Sequence, residues 1–111
     1  MLFNNNGIVI NNWQNELKNG EKSSEIKFFK RTNTLNLRNS IFIDNTASEI
    51  IANTYKDYLR NSISVVTCNK IACSDNYLNY KNLNDLAKQY SSSFLFETNV
   101  GAGLPIIDTL N

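Results

Sequence analysis

Residues 41–49 read IFIDNTASE, an apolar stretch that runs into a polar turn. Two more short runs of β-branched or aromatic residues follow, ISVVT at 63–67 and FLFET at 94–98. Each run has about the length of an ordinary strand. Nearly continuous apolar runs of this kind are typical of strands buried in a parallel sheet. The sequence therefore predicts three main parallel strands, at about 41–45, 63–67 and 94–98.

Amphipathic patterns separate these strands. Over 47–60, one helical face is predicted to carry Ile51, Tyr55, Tyr58 and Leu59. Over 77–90, apolar residues recur every three or four positions: Tyr77, Tyr80, Leu83, Ala87 and Tyr90. Strands that alternate with helices form a parallel sheet with right-handed crossovers, so the fold class is α/β.

Two helices are predicted upstream of the first strand. Trp13 and Leu17 indicate a short helix that ends at Gly20. A second helix over about 23–37 is predicted from three apolar residues, Ile26, Phe29 and Leu37.

The composition limits the classes of partner. The chain has 111 residues, enough for one domain with a core, and its 11 basic and 10 acidic residues give a formal charge of +1. Such a balance creates no field that would attract nucleic acid or an anionic membrane. The apolar stretches are far shorter than the roughly 20 residues that cross a bilayer. We therefore expect neither nucleic acid nor membrane as a partner.

The cysteines indicate a reducing compartment. Cys68 and Cys73 are the two thiols, and the chain has no histidine with which to assemble a zinc site. We expect both thiols to be reduced and the protein to be cytoplasmic.

In a parallel sheet, the segments that follow residues 45, 67 and 98 emerge at one edge, where open α/β folds bind ligands. The first of them, TASE at 46–49, fits a capping box in which the Thr46 hydroxyl and the Glu49 carboxylate each bond to the other residue's amide. That pattern starts a helix, and a helix N-terminus at this edge can also face an anion or a ribose. Both interpretations can hold at once.

Lys70 is the most informative single residue in the second segment. It lies three residues after Thr67 and is flanked by Asn69, Ile71 and Ala72 rather than by other charges. A lysine in such a loop can place an ammonium group on a phosphate, a carboxylate or a developing alkoxide. The alternative is an ordinary exposed lysine.

The third segment carries Gly-Ala-Gly at 101–103, which suggests a dinucleotide-binding loop. Such a loop needs a third glycine three residues after the second, and that position is Ile106. Pro105 stands where the helix of that motif would already be running, and it suits the first residue of a new helix instead. The glycines therefore do not form a phosphate loop.

An extended, kinked backbone over 97–104 offers another role for these glycines. The main-chain oxygens of Val100, Ala102 and Leu104 can point to one side, and a carboxylate oxygen of Glu97 is near them in sequence. Together they would form an all-oxygen cage for a hard cation. A tight turn that only passes the chain to the next helix explains the same spacing.

Three motifs, IFIDNTAS, VVTCNKIACS and FETNVGAGLPIIDTLN, occur in this order and closely resemble homoserine dehydrogenase. The chain looks most like the dehydrogenase part of the bifunctional aspartokinase/homoserine dehydrogenases. The resemblance implies an NAD(P)-dependent interconversion of L-homoserine and L-aspartate 4-semialdehyde, in the biosynthesis of threonine and methionine. It also implies the second half of a Rossmann-type domain.

The resemblance also implies roles for individual residues. Thr46, Ala47 and Ser48 would border the cofactor, NAD or NADP. Lys70 would be the catalytic lysine and would contact both cofactor and substrate. A monovalent cation, Na⁺, would be bound by four residues, Glu97, Val100, Ala102 and Leu104.

Some features depart from the family. Cys68 stands where many members have proline, and Ile71 stands where many have a second lysine. The glycine-rich βαβ unit and the substrate domain of the family are absent from this sequence. We therefore expect 1–104 to be the C-terminal half of an NAD(P)-binding domain and 105–111 to start a hinge helix into a substrate domain.

Two further expectations follow from that division. The chain alone would be inactive, and its exposed sheet edge would favour a homo-oligomer. The alternative function is a non-enzymatic α/β module that binds an anion or mediates assembly.

Overall fold

The computed structural model describes residues 1–71 and 77–96. The strands are β1 (Ile41–Asp44), β2 (Ser64–Thr67) and β3 (Phe94–Leu95). A 3₁₀ turn at Ile10–Asn12 precedes α1 (Trp13–Lys18), and the further helices are α2 (Glu25–Leu35), α3 (Glu49–Ala52), α4 (Tyr55–Arg60) and α5 (Tyr77–Gln89). None of the helices in these two ranges is long and apolar enough to cross a membrane.

The strands form one parallel sheet in the order β1-β2-β3. The register aligns Phe42 with Val65 and Val65 with Phe94, and it aligns Asp44 with Thr67. The predicted α/β class and its three parallel strands are confirmed. The predicted third strand, 94–98, is described only to residue 96, so its last two residues lie outside the described part.

The core lies on one face of this sheet, beneath α4 and α5. Its fully or nearly buried side chains are Tyr55, Tyr58, Leu59, Ile63, Val65, Leu83, Ala87 and Phe94. Aromatic contacts extend it, since the ring of Phe42 stacks on that of Tyr58 with centroids 4.1 Å apart. The ring of Phe29 in α2 meets that of Tyr58 edge-on, with centroids 5.1 Å apart. These contacts fix α2 and α4 against the sheet.

The segment between β1 and β2 forms two short helices instead of the one helix predicted over 47–60. The predicted apolar face is confirmed, because Tyr55, Tyr58 and Leu59 are buried. The helix is interrupted where the Thr54 amide and hydroxyl both donate to the Ile51 carbonyl, at 3.0 and 2.6 Å. Such a side-chain bond competes with the helical hydrogen-bond pattern and lets the chain turn before α4 begins.

The upstream helices are confirmed, but part of the predicted apolar face of α2 is wrong. Phe29 packs against the core as predicted, but Ile26 is 68% exposed and Phe28 packs in its place. Asn36 ends the helix with a left-handed backbone (φ 46°), so Leu37 lies beyond it and is exposed. The two aromatic rings bury more apolar area than Ile26 could, and they determine which face meets the sheet.

The opposite face of the sheet lacks a helical cover in the described part of the chain. Ile41, Ile43 and Leu95 point to that face and are exposed. Exposure of this face does not test the predicted homo-oligomer, which stays a prediction.

We predict that Leu59→Ala lowers the free energy of unfolding by about 2–5 kcal/mol, because it opens a cavity at a fully buried position. Ile26→Ala is the control, because the Ile26 side chain is exposed on α2. We expect it to change the free energy of unfolding by no more than about 0.5 kcal/mol. Urea unfolding of both variants measures the difference. Equal losses would show that α2 packs as the sequence pattern predicted.

Candidate functional site

The first two strands end together, and their following loops are hydrogen bonded to each other. The Cys68 amide donates to the Asp44 carbonyl at 3.1 Å, immediately after the strands end. Further out, the Asn69 side-chain nitrogen donates to the Ser48 carbonyl at 2.9 Å. The predicted convergence of the loops after β1 and β2 is therefore observed. The third predicted loop, 99–104, lies outside the described residues.

A buried polar cluster, formed by Asp44, Tyr55, Thr67 and Asn69, lies beneath these two loops. One carboxylate oxygen of Asp44 accepts from the Tyr55 hydroxyl and from the Asn69 side-chain nitrogen. The other accepts from the amide and hydroxyl of Thr46, at 2.8 and 2.6 Å. Tyr55 and Thr67 are themselves 2.7 Å apart, oxygen to oxygen. Both carboxylate oxygens of the buried Asp44 therefore accept hydrogen bonds, as expected for a charged residue inside an apolar strand.

The surroundings of Asp44 keep it ionised. Burial acts to raise the pKa of this carboxyl, but the hydrogen bonds from Thr46, Tyr55 and Asn69 together outweigh that effect. The net result is a pKa below the ordinary value. The cluster therefore holds a fixed negative charge under the loops at neutral pH.

The predicted capping box is wrong. The Thr46 hydroxyl donates to Asp44 and accepts from the Ser48 amide at 3.2 Å, so it forms a turn and does not cap a helix. Ser48 caps α3 instead, because its hydroxyl accepts from the Ile51 amide at 3.2 Å. The buried carboxylate is the stronger acceptor and takes the Thr46 hydroxyl. With only four residues, α3 has a small dipole, which weakens the idea of an anion site at its N-terminus.

Asn69 is the residue that the sequence interpretation missed. Its side chain is fully buried and bonds to Asp44 and to the Ser48 carbonyl, whereas the sequence analysis considered it only as a neighbour of Lys70. A usable signal was present: Asp44 and Thr67 are polar residues at the ends of two apolar strands. Parallel strands of similar length place such residues side by side, where a following amide can bond to them.

The structure places Lys70 at the same edge as Thr46, Ala47 and Ser48. Lys70 is exposed, and with Ile71 it has helical backbone directly after the β2 loop. Because Asn69 precedes Lys70 and bonds to Ser48, these predicted residues occupy neighbouring segments of one surface. A long side chain with three donors can reach a ligand lying across that surface.

A cavity of about 270 Å³ borders the loop that follows β1. Asp44 and Thr46 are among its lining residues, together with Phe28, Phe42 and Ile51. The cavity therefore extends from the loop after β1 toward α2, and most of its exposed lining is apolar.

The predicted cation ligands, Glu97, Val100, Ala102 and Leu104, all lie outside the described residues. Within 1–71 and 77–96, no group of three or more histidine, cysteine, aspartate or glutamate side chains is placed to hold a metal. Cys68 is an exposed free thiol, as expected, and Cys73 lies outside the described part.

Comparison with known proteins identifies relatives along nearly the whole chain. The sequence model of the family described as the NAD binding domain of homoserine dehydrogenase matches residues 2–97. A bifunctional aspartokinase/homoserine dehydrogenase of Haemophilus influenzae is 36% identical over 114 aligned residues, which cover 99% of this chain and 14% of that protein. No solved structure gives a significant match.

Two eukaryotic relatives agree with this result. A chloroplastic bifunctional aspartokinase/homoserine dehydrogenase 2 of Arabidopsis thaliana is 40% identical over 99% of the chain and 12% of its own length. A homoserine dehydrogenase of Schizosaccharomyces pombe is 44% identical over 64% of the chain and 19% of its own length. The chain thus spans less than a fifth of the length of each of these relatives.

We predict that the stabilisation contributed by Asp44 is lost in acid. Because its pKa is lower in the folded than in the unfolded state, its contribution is fully present above about pH 4, the unfolded value, and falls as the pH drops through the folded value. Asp44→Asn should cost about 1–3 kcal/mol at pH 7, since several donors lose a charged acceptor.

Urea unfolding at pH 7 and at pH 3 measures this contribution as the stability difference between wild type and Asp44→Asn. We expect that difference to shrink at pH 3, because this pH lies below the ordinary pKa of an aspartate and the unfolded chain then takes up a proton at residue 44 more readily than the folded chain does. A difference that is the same at both pH values would mean that the carboxylate charge does not contribute to folding.

Proposed function

The chain belongs to the homoserine dehydrogenase family through its NAD-binding domain, and we propose that it supplies part of the cofactor-binding domain of an enzyme that interconverts L-homoserine and L-aspartate 4-semialdehyde. The bifunctional aspartokinase/homoserine dehydrogenases that align with 99% of the chain support this assignment. We propose that residues 1–104 form the second half of that domain and that 105–111 begin the connection to a substrate domain.

One observation carries the proposal. Two parallel strands deliver the Thr46–Ser48 segment and Lys70 to a single edge of the sheet, and hydrogen bonds from Asn69 join the two loops there. Open α/β sheets bind their ligands at this edge. We propose that residues 46–48 border the NAD(P) cofactor and that Lys70 contacts both cofactor and substrate.

The reaction transfers a hydride and a proton. A bound NAD(P) would supply the acceptor for the hydride that leaves the carbon bearing the homoserine hydroxyl, and the hydroxyl proton would pass to solvent as the aldehyde forms. In the opposite direction the aldehyde oxygen gains negative charge as it is reduced. The positive charge of Lys70 would stabilise that oxygen and orient it toward the cofactor.

We predict that Lys70→Ala in the complete enzyme lowers kcat/KM for homoserine by about 10²–10³-fold, the range found when one charge-stabilising donor is removed. Steady-state rates of NADPH formation measure this loss. Lys70→Arg keeps the charge but changes its shape, and we expect it to recover only part of the activity.

Lys88→Ala is the matched control, since Lys88 is an exposed lysine in the last turn of α5, at the other end of the sheet. Its kcat/KM should equal that of wild type. If Lys70→Ala loses no more activity than Lys88→Ala, Lys70 is an ordinary surface lysine.

We also propose that a monovalent cation binds to Glu97 and to the main-chain oxygens of Val100, Ala102 and Leu104. The donor set supports this, because three neutral carbonyls and one carboxylate give hard oxygen ligands with a single negative charge. Such an ion would stabilise the segment that follows β3 and would take no direct part in hydride transfer.

We predict that Glu97→Gln weakens activation by Na⁺, because it removes the only formal charge from the proposed ligands. Initial rates would be titrated with NaCl, with tetramethylammonium chloride keeping the ionic strength constant. The Na⁺ concentration for half-maximal activity should rise. A wild-type enzyme whose rate does not depend on Na⁺ would contradict the cation proposal but not the dehydrogenase assignment.

A further inference from the structure

We propose that Asn69 is a positioning residue, which fixes Lys70 relative to the Thr46–Ser48 loop by bonding to the segments on both sides. This inference rests on the proposed function, since the distance between Lys70 and the Thr46–Ser48 loop matters only if a ligand contacts both.

The side chain of Asn69 spans three partners. Its nitrogen donates to an Asp44 carboxylate oxygen at 3.1 Å and to the Ser48 carbonyl at 2.9 Å. Its oxygen accepts from the Ile71 amide at 3.1 Å. The reverse orientation of the amide would set oxygen against oxygen and N–H against N–H, so these partners determine its orientation.

These bonds hold the backbone on each side of Lys70. The main-chain nitrogen of Asn69 donates to the Thr67 hydroxyl at 2.8 Å, before Lys70, and the Ile71 amide is held just after it. Lys70 therefore starts from a main chain anchored at both neighbours. The point from which its exposed side chain extends is therefore fixed relative to Ser48.

The chemistry of the site requires an amide. An aspartate would place a second carboxylate beside Asp44 and would lose both donors, and like charges this close disfavour ionisation of the pair. A serine hydroxyl has a single proton to donate and a shorter reach, so it cannot serve the same set of partners. Burial makes each lost bond costly, since water does not reach Asn69 to replace it.

The test compares Asn69→Ala with Ile63→Val in the complete enzyme. Ile63 is a buried core residue directly before β2, at the amino end of the sheet, so its substitution lowers stability away from the loops. We expect Asn69→Ala to lower kcat by about 10²-fold, on the scale of a small misplacement of a reacting group. Ile63→Val should lower Tm and leave kcat unchanged. Asn69→Ser is a milder second variant in case the alanine variant does not fold.

A second readout does not depend on the dehydrogenase activity. Lysines reductively methylated with ¹³C-formaldehyde give one NMR signal each, and the loss of a signal in Lys70→Arg identifies that of Lys70. We expect the Lys70 signal to shift in Asn69→Ala or Asn69→Ser and to stay in place in Ile63→Val.

The two readouts separate the possible failures. An unmoved Lys70 signal, or a kcat that falls no further than in Ile63→Val, would overturn the positioning role of Asn69. A wild-type enzyme that does not oxidise homoserine would overturn the proposed function instead, and the NMR comparison would still decide whether Asn69 fixes Lys70.

Discussion

The candidate site depends on the buried carboxylate of Asp44. A carboxylate at 2% exposure is stable only when donors surround it, and four donors from Thr46, Tyr55 and Asn69 do so. Those donors come from the β1 loop, from α4 and from the β2 loop. A single charge therefore draws three separate parts of the chain to the edge where β1 and β2 end.

The fold was largely predictable because it follows from apolar periodicity. The runs at 41–45 and 63–67 bury one face in register, and Tyr55, Tyr58 and Leu59 lie on the helical face that covers it. The errors arose where a specific contact overrode the pattern. Phe28 packed in place of Ile26, and a local hydrogen bond from Thr54 divided one predicted helix into two. The spacing of apolar residues along the sequence does not reveal tertiary packing or side-chain hydrogen bonds of this kind.

The site was predictable in its location but not in its connections. Topology alone places Thr46–Ser48 and Lys70 at one edge, because parallel strands end on the same side. The capping box failed because Asp44, two residues before Thr46, competes for the same hydroxyl. Asn69 could not be assigned a role from its sequence neighbours, since its partners Asp44 and Ser48 are 25 and 21 residues away.

The buried polar cluster around Asp44 is better explained by the way it positions the loops than by a gain in the free energy of unfolding. A well-packed apolar group often stabilises a core as much as a buried charge does, because removing a carboxylate from water is expensive. What an apolar group cannot do is accept hydrogen bonds from two loops and an adjoining helix at once, in fixed directions. A charge at this point joins the loops after β1 and β2 through hydrogen bonds, while Lys70 lies exposed at the same edge. In a dehydrogenase, such an arrangement would keep the point of attachment of Lys70 fixed relative to the loop that borders the cofactor.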